Sequence, residues 1–157
     1  MAEIVDILSL PISLVALVVS VASFAVSRRD LRTEKRERAS TYLTDAKQDL
    51  AEVAKRVPTL RTYWRGAFAL RGILNSSMWE QKSQECDGIL TQATEIGKPL
   101  QDIARALQSL KGKKLDDTVK QLYDAKVEAS KLTEEVQRSW DQCLNEIEQA
   151  RDQRGHN

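Results

Sequence analysis

Apolar residues dominate the first part of the chain, where no charged residue occurs between Ile7 and Ser27. A helix of this length spans roughly 31 Å at ~1.5 Å per residue, close to the roughly 30 Å hydrocarbon core of a bilayer. The pattern predicts one transmembrane helix over 7–27, preceded by a short extracytoplasmic N-terminus at 1–6.

The charges on either side of this segment predict its orientation. The residues before it, "MAEIVD", carry two acids and no base, which argues against a signal peptide, because that needs a positive n-region. Basic flanks stay in the cytoplasm, so we expect a single-pass integral protein of the plasma or inner membrane with its C-terminal part cytoplasmic. The topology-setting bases are Arg28, Arg29, Arg32, Lys35, Arg36 and Arg38.

Three runs of residues with heptad spacing follow. Apolar positions that alternate by three and four are typical of helices packed along their length. The first run is Leu43, Ala46, Leu50, Val53, Val57, Leu60, Trp64, Ala67, Arg71 and Leu74. The second is Cys86, Ile89, Ala93, Ile96, Leu100, Ile103, Leu107 and Leu110. The third, with more polar members, is Leu115, Val119, Leu122, Lys126, Ala129, Thr133, Val136, Trp140, Cys143, Ile147 and Ala150.

These runs predict an all-α fold in which the transmembrane helix continues into a cytoplasmic antiparallel bundle or coiled coil of three long helices, with four as the alternative. A juxtamembrane helix covers 28–74 and is kinked near Pro58, and a helical hairpin covers 75–152, with helices at about 78–110 and 115–152. A polar tail occupies 153–157. Pro58 and Pro99 lie inside runs, so we expect kinks there, with full breaks as the alternative.

Local sequence marks the two connections. Ser77, with Glu80 three residues later, forms a candidate capping box that starts the second helix. The "KGKK" segment at 111–114 is a short turn in which Gly112 is free to take a positive φ. Connections this short make the joined helices antiparallel neighbours.

Small residues recur along the apolar segment with a period of 3.5, which is the period of left-handed helix packing. Such residues let transmembrane helices approach closely, so we expect a homo-oligomer, with a water-lined pore wall as the alternative. The predicted interface consists of Ser9, Ser13, Ala16, Ser20, Ser23 and Ser27.

Two basic segments are candidate binding surfaces. Residues 53–79 contain five bases and no acid, and a helical projection places Arg61, Arg65 and Phe68 on the side opposite the apolar seam. We expect these three to bind a cytoplasmic protein partner. The alternative is that this basic helix simply lies beside the acidic residues of 115–157. The turn lysines, Lys111, Lys113 and Lys114, are a candidate lipid-facing group, with a solvated turn as the alternative.

Catalytic chemistry finds no support in the sequence. The single histidine, His156, is next to last in a polar tail, and no glycine motif for phosphate is present, so we expect no enzyme, no cofactor and no metal. With 24 bases against 23 acids there is no basic excess for nucleic acid. Cys86 and Cys143 are expected to be core thiols, with a redox latch as the alternative.

The function expected from the sequence is therefore a membrane-anchored helical bundle that acts as a structural or interaction module. It would self-associate through the small-residue stripe, recruit a cytoplasmic protein, or do both. Its partners would be the lipid bilayer, further copies of itself and a cytoplasmic protein. The alternatives are an oligomeric pore-forming or membrane-disrupting effector and an enzyme whose site another chain completes.

Overall fold

The structure, a computed structural model, describes the backbone of residues 2–155 and the side chains of residues 19–153. Three α-helices account for this part of the chain: α1 at Ala2–Leu70, α2 at Ser77–Ala106 and α3 at Lys113–Gly155. No strand occurs within it. The predicted all-helical bundle is confirmed.

The core forms where the apolar seams of the three helices meet. All eight apolar members of the first run from Leu43 to Ala67 are buried, and so are Cys86 and Leu100 of α2 and Leu122 of α3. Helix α1 packs extensively against both other helices, whereas α2 and α3 contact each other much less. Helix α1 is therefore the central helix of the bundle, and an open groove remains between α2 and α3.

The predicted membrane topology is wrong. Within the described residues, no helix is long and apolar enough to cross a membrane. This finding overturns the transmembrane helix at 7–27, the single-pass orientation and the integral membrane location.

Part of that prediction falls on residues whose side chains are not described. Ser9, Ser13 and Ala16 of the small-residue stripe lie in the range 1–18, outside the described side chains. Ser20, Ser23 and Ser27 lie within the described range, and all three are exposed. His156 lies beyond the described residues at the other end.

The connections are longer than predicted, because α1 ends at Leu70 and α2 at Ala106, and the N-cap of α2 differs by one residue. The N-cap of α2 is Ser76, whose hydroxyl accepts from the Trp79 backbone N–H, and Ser77 is the first helical residue. The backbone of Ser76 is extended, with φ −87° and ψ 156°, which turns its side chain toward the free N–H groups of the first helical turn, as an N-cap requires. Pro58 and Pro99 both lie inside uninterrupted helices.

Two glycines in the connections have positive φ, whereas Gly88 lies inside α2. Gly72 has φ 71° after α1 and Gly112 has φ 56° before α3, a conformation in which an L side chain is strained. A Cβ on Gly88 would meet no atom within 4 Å. The two kinds of glycine should therefore respond in opposite directions to alanine.

We expect Gly88→Ala to raise the free energy of unfolding by about 0.5–1 kcal/mol, because it removes the entropic cost of a helical glycine. We expect Gly112→Ala to lower it by about 1–2 kcal/mol, because alanine would have to occupy the left-handed region. Urea denaturation followed by circular dichroism measures both changes. Equal signs for the two variants would contradict the assigned backbone conformations.

Candidate partner-binding surfaces

The part of α1 that precedes the bundle carries large apolar side chains in the open. All residues from 19 to 34 are exposed, and we call this segment the overhang. The side chains of Val19, Val21, Phe24, Val26 and Leu31 are 52–61% exposed. So many exposed apolar side chains on one helix segment are unusual on a protein surface, which makes the overhang a candidate contact site.

The overhang has two chemically different faces, because successive residues turn by ~100° about a helix axis. One face combines apolar and cationic side chains, and the Arg28 guanidinium lies 4.5 Å from the centre of the Phe24 ring. We call it the basic face: Val21, Phe24, Arg28, Leu31 and Arg32. The opposite face, the serine face, contains Ser23, Val26, Ser27, Asp30 and Glu34.

The basic face continues the side of α1 that faces the other helices within the bundle. Arg28, Leu31 and Arg32 line a cleft of about 400 Å³ together with Gly112 and Leu115 at the α2–α3 turn. Inside the bundle α2 and α3 cover this side of α1, but they end at this turn. The basic face is thus the uncovered end of the seam that holds the bundle together.

The α2–α3 turn is fixed to α1 by polar contacts. Lys35 Nζ lies 2.5 Å from the Asp116 carboxylate, and Arg36 donates to the backbone oxygens of Gln108 at 2.8 Å and Leu110 at 3.2 Å. Lys35 and Arg36, expected to set a membrane topology, instead hold the end of α2 and the start of α3.

The three turn lysines are in this region. Lys111, Lys113 and Lys114 are exposed. Their role as a lipid-facing group, with a solvated turn as the alternative, stays a prediction.

A groove of about 710 Å³ lies between α2 and α3, on the side of the bundle away from α1. We call it the acidic groove. Its apolar lining is Ile96, Pro99, Ala125 and Leu132, and its acids are Glu95, Asp124, Glu128 and Glu135. Lys131 is the one base among its lining residues, so the lining carries a net charge of −3.

The acids of the groove are not held in ion pairs, although Lys131 lies among them. Among the described side chains, none of the four forms a salt bridge. Acids elsewhere on the same helices are paired, such as Asp87 with Arg61 at 2.9 Å and Glu146 with Arg71 at 2.6 Å. The negative potential of the groove is therefore concentrated over an apolar floor, where a cationic ligand would be attracted.

The basic and aromatic segment 53–79 behaves differently from the prediction. Phe68 is only 4% exposed, stacked on Trp64 at 5.6 Å between ring centres and edge-on to Trp79 at 6.4 Å. It is a core residue, because the chain reverses after Leu70 and lays the start of α2 over that side of α1. Phe68 as an exposed partner anchor is therefore a wrong prediction.

The two arginines predicted beside it stay on the surface. Arg61 donates to Asp87 at 2.9 Å and to the Ser83 hydroxyl at 2.6 Å, so it joins α1 to α2. Arg65 is exposed. Neither arginine shares an exposed surface with Phe68. The two exposed surfaces that combine apolar side chains with charges of mainly one sign are the basic face and the acidic groove.

Sequence reasoning missed the acidic groove. Apart from Ile96, which belongs to the second run, its residues lie outside the heptad seams or at their edges, and the spacing of Asp124 and Glu128 is that of a solvated helix face. The periodicity of a single helix does not show which residues of α2 and α3 lie side by side along this groove.

Within residues 19–153 the thiols and carboxylates form no cluster of metal ligands. No group of histidine, cysteine, aspartate and glutamate side chains within the described range could hold a metal ion. Cys86 and Cys143 are buried free thiols. Burial raises the pKa of the Cys143 thiol to about 11, with smaller contributions from the charges of Glu146 and Cys86. Such a thiol is a poor nucleophile at neutral pH.

We compared the chain with models of known protein families, with curated proteins and with solved structures. None of these comparisons finds a match.

Proposed function

We propose that this protein is a helical interaction module that associates with further copies of itself through the basic face of the overhang. The observation that carries the proposal is the exposure of Phe24 and Leu31, at 60% and 52%, on a helix whose next turns are covered by α2 and α3. An apolar seam that continues past its covering helices is stabilised when another chain covers it.

The size of the apolar contribution predicts a weak, reversible association. At ~25 cal/mol per Å², burying side chains such as Phe24, Leu31 and Val21 from their half-exposed state yields about 1–2 kcal/mol each. The loss of translational and rotational freedom costs at least about 4 kcal/mol. Apolar burial alone therefore comes close to balance, and polar contacts must supply the remaining affinity.

Sedimentation velocity of the full chain over a wide range of concentration tests the proposal. We expect the average mass to rise with concentration in the wild type. The double variant Phe24→Glu with Leu31→Glu should stay monomeric, with a dissociation constant raised about tenfold or more, because two carboxylates replace the apolar contact. Circular dichroism should show unchanged helix content, since both side chains are exposed.

Val26→Glu is the matched control, because Val26 is 58% exposed on the serine face of the same segment. It should associate as the wild type does. A wild type that is monomeric at every concentration contradicts the proposal. Association lost in Val26→Glu and kept in the double variant would move the interface to the serine face, and would also contradict it.

A further inference from the structure

We infer that the acidic groove between α2 and α3 is the site that receives the basic face of a second copy. The inference rests on the proposed self-association and names the surface on the other copy that takes part. The association is then heterologous: the overhang of one copy lies in the groove of the next.

Charge and apolar pattern match between the two surfaces. The basic face contributes Arg28 and Arg32 beside Phe24 and Leu31. The groove offers four unpaired carboxylates around Ile96, Pro99, Ala125 and Leu132. An apolar strip bordered by cations would thus lie on an apolar floor bordered by anions, and such complementary potentials fix both partner and register.

The overhang is poorly suited to pairing with its own counterpart. Two basic faces brought together would place the Arg28 and Arg32 side chains of both copies around one contact. Two serine faces would do the same with Asp30 and Glu34. Like charges held close across an interface oppose association, so each face favours a surface of opposite sign.

The dimensions of the two surfaces agree. The wall of the groove on α3 extends from Gln121 to Glu135, about 21 Å at ~1.5 Å per residue. The basic face from Val21 to Arg32 covers about 17 Å by the same rise. The groove contains no residue of its own α1, so the site is free in each copy.

This geometry has a consequence for the form of the assembly. Each copy carries one overhang and one groove, and a contact between unlike surfaces leaves one of each unused at the two ends. Heterologous contacts of this kind close into rings or continue as filaments. We expect no limit at the dimer as concentration rises.

Charge reversal tests the inference. Asp124→Lys with Glu128→Lys should raise the dissociation constant of the full chain about tenfold or more, measured by sedimentation velocity. Arg28→Glu with Arg32→Glu should have a similar effect. Combining all four changes in one chain restores opposite charges and should return the dissociation constant to within about threefold of the wild type.

Glu134→Lys with Glu148→Lys is the control, because both residues are exposed on α3 outside the groove and the net charge changes equally. It should associate as the wild type does. If the wild type associates and Phe24→Glu with Leu31→Glu abolishes this, but the groove variant has no effect, the groove assignment is overturned while the proposed function stands. The groove assignment is also overturned if the variant with all four charge reversals does not regain the association of the wild type. It is overturned as well if the control variant loses association to the same extent as the groove variant. A wild type that never associates overturns both.

Discussion

Replacing Trp64 by alanine is expected to lower the free energy of unfolding by about 3–5 kcal/mol, as deletion of a large buried aromatic usually does. Trp64 is 3% exposed and connects all three helices. Its indole N–H donates to the Ser139 hydroxyl of α3 at 3.1 Å, its ring stacks on Phe68, and Lys82 Nζ of α2 lies 5.2 Å from the ring centre. Alanine at this position would leave a cavity and would remove the hydrogen-bond donor of the Ser139 hydroxyl.

Two comparisons separate these contributions. Trp64→Phe keeps most of the ring volume and removes the N–H donor, so we expect a smaller loss of about 1–2 kcal/mol. Tyr63→Ala removes a neighbouring aromatic that is 44% exposed and should cost less than Trp64→Ala. Urea denaturation at fixed pH measures all three variants. A loss below about 1 kcal/mol in Trp64→Ala would show that the indole is not a central core element.

The bundle could be predicted from the sequence because its main seam is regular. The spacing from Leu43 to Ala67 survives intact in α1, and each apolar member of it is buried. A heptad seam encodes which side of a helix is buried, and that information is local. The same reasoning could not recover Phe68, because a helical projection ignores the chain reversal that covers it.

The third helix shows the opposite limitation. Its seam contains polar residues, yet α3 makes the most extensive contact with α1. One of them, Lys126, pairs with Asp45 of α1 at 2.9 Å, and Ser130, next to the seam, donates to the Asp49 carboxylate at 2.7 Å. Pairing between residues about 81 positions apart is not visible in a periodicity, so the strength of this contact could not be read from α3 alone.

The two proposed binding surfaces depend on where helices end rather than on what they contain. The overhang is uncovered because α2 and α3 are joined by the turn at Gly112, and the groove exists because α2 and α3 contact each other little. The basic residues from Arg28 to Arg38 were evident in the sequence, but the sequence analysis predicted that they set a membrane topology. In the structure Lys35 and Arg36 bind the turn of the bundle, which leaves Arg28 and Arg32 to the basic face.

Alkaline pH should destabilise the protein through Cys143. Its thiol is 1% exposed, and burial raises its pKa from 9.0 to about 11. The unfolded chain therefore releases this proton before the folded protein does. The stabilisation is fully present below about pH 9 and is lost as the pH rises toward 11, by about 2–3 kcal/mol for a shift of roughly two pKa units. Urea denaturation under reducing conditions from pH 8 to 11 measures the fall.

The variant Cys143→Ala isolates this contribution, because it removes the thiol and keeps the other groups that titrate in the range. Lys126, whose pKa is raised chiefly by its hydrogen bond to Asp45 and by the charge of that carboxylate, also loses stabilisation as the pH rises through its folded pKa. That loss is common to both proteins, so the difference between their pH profiles reports Cys143. We expect the alanine variant to be less stable at pH 8, where a small cavity replaces the thiol, and to lose less stability by pH 11. Parallel profiles would contradict a desolvated Cys143 thiol in the folded protein and would place this part of α3 in contact with water.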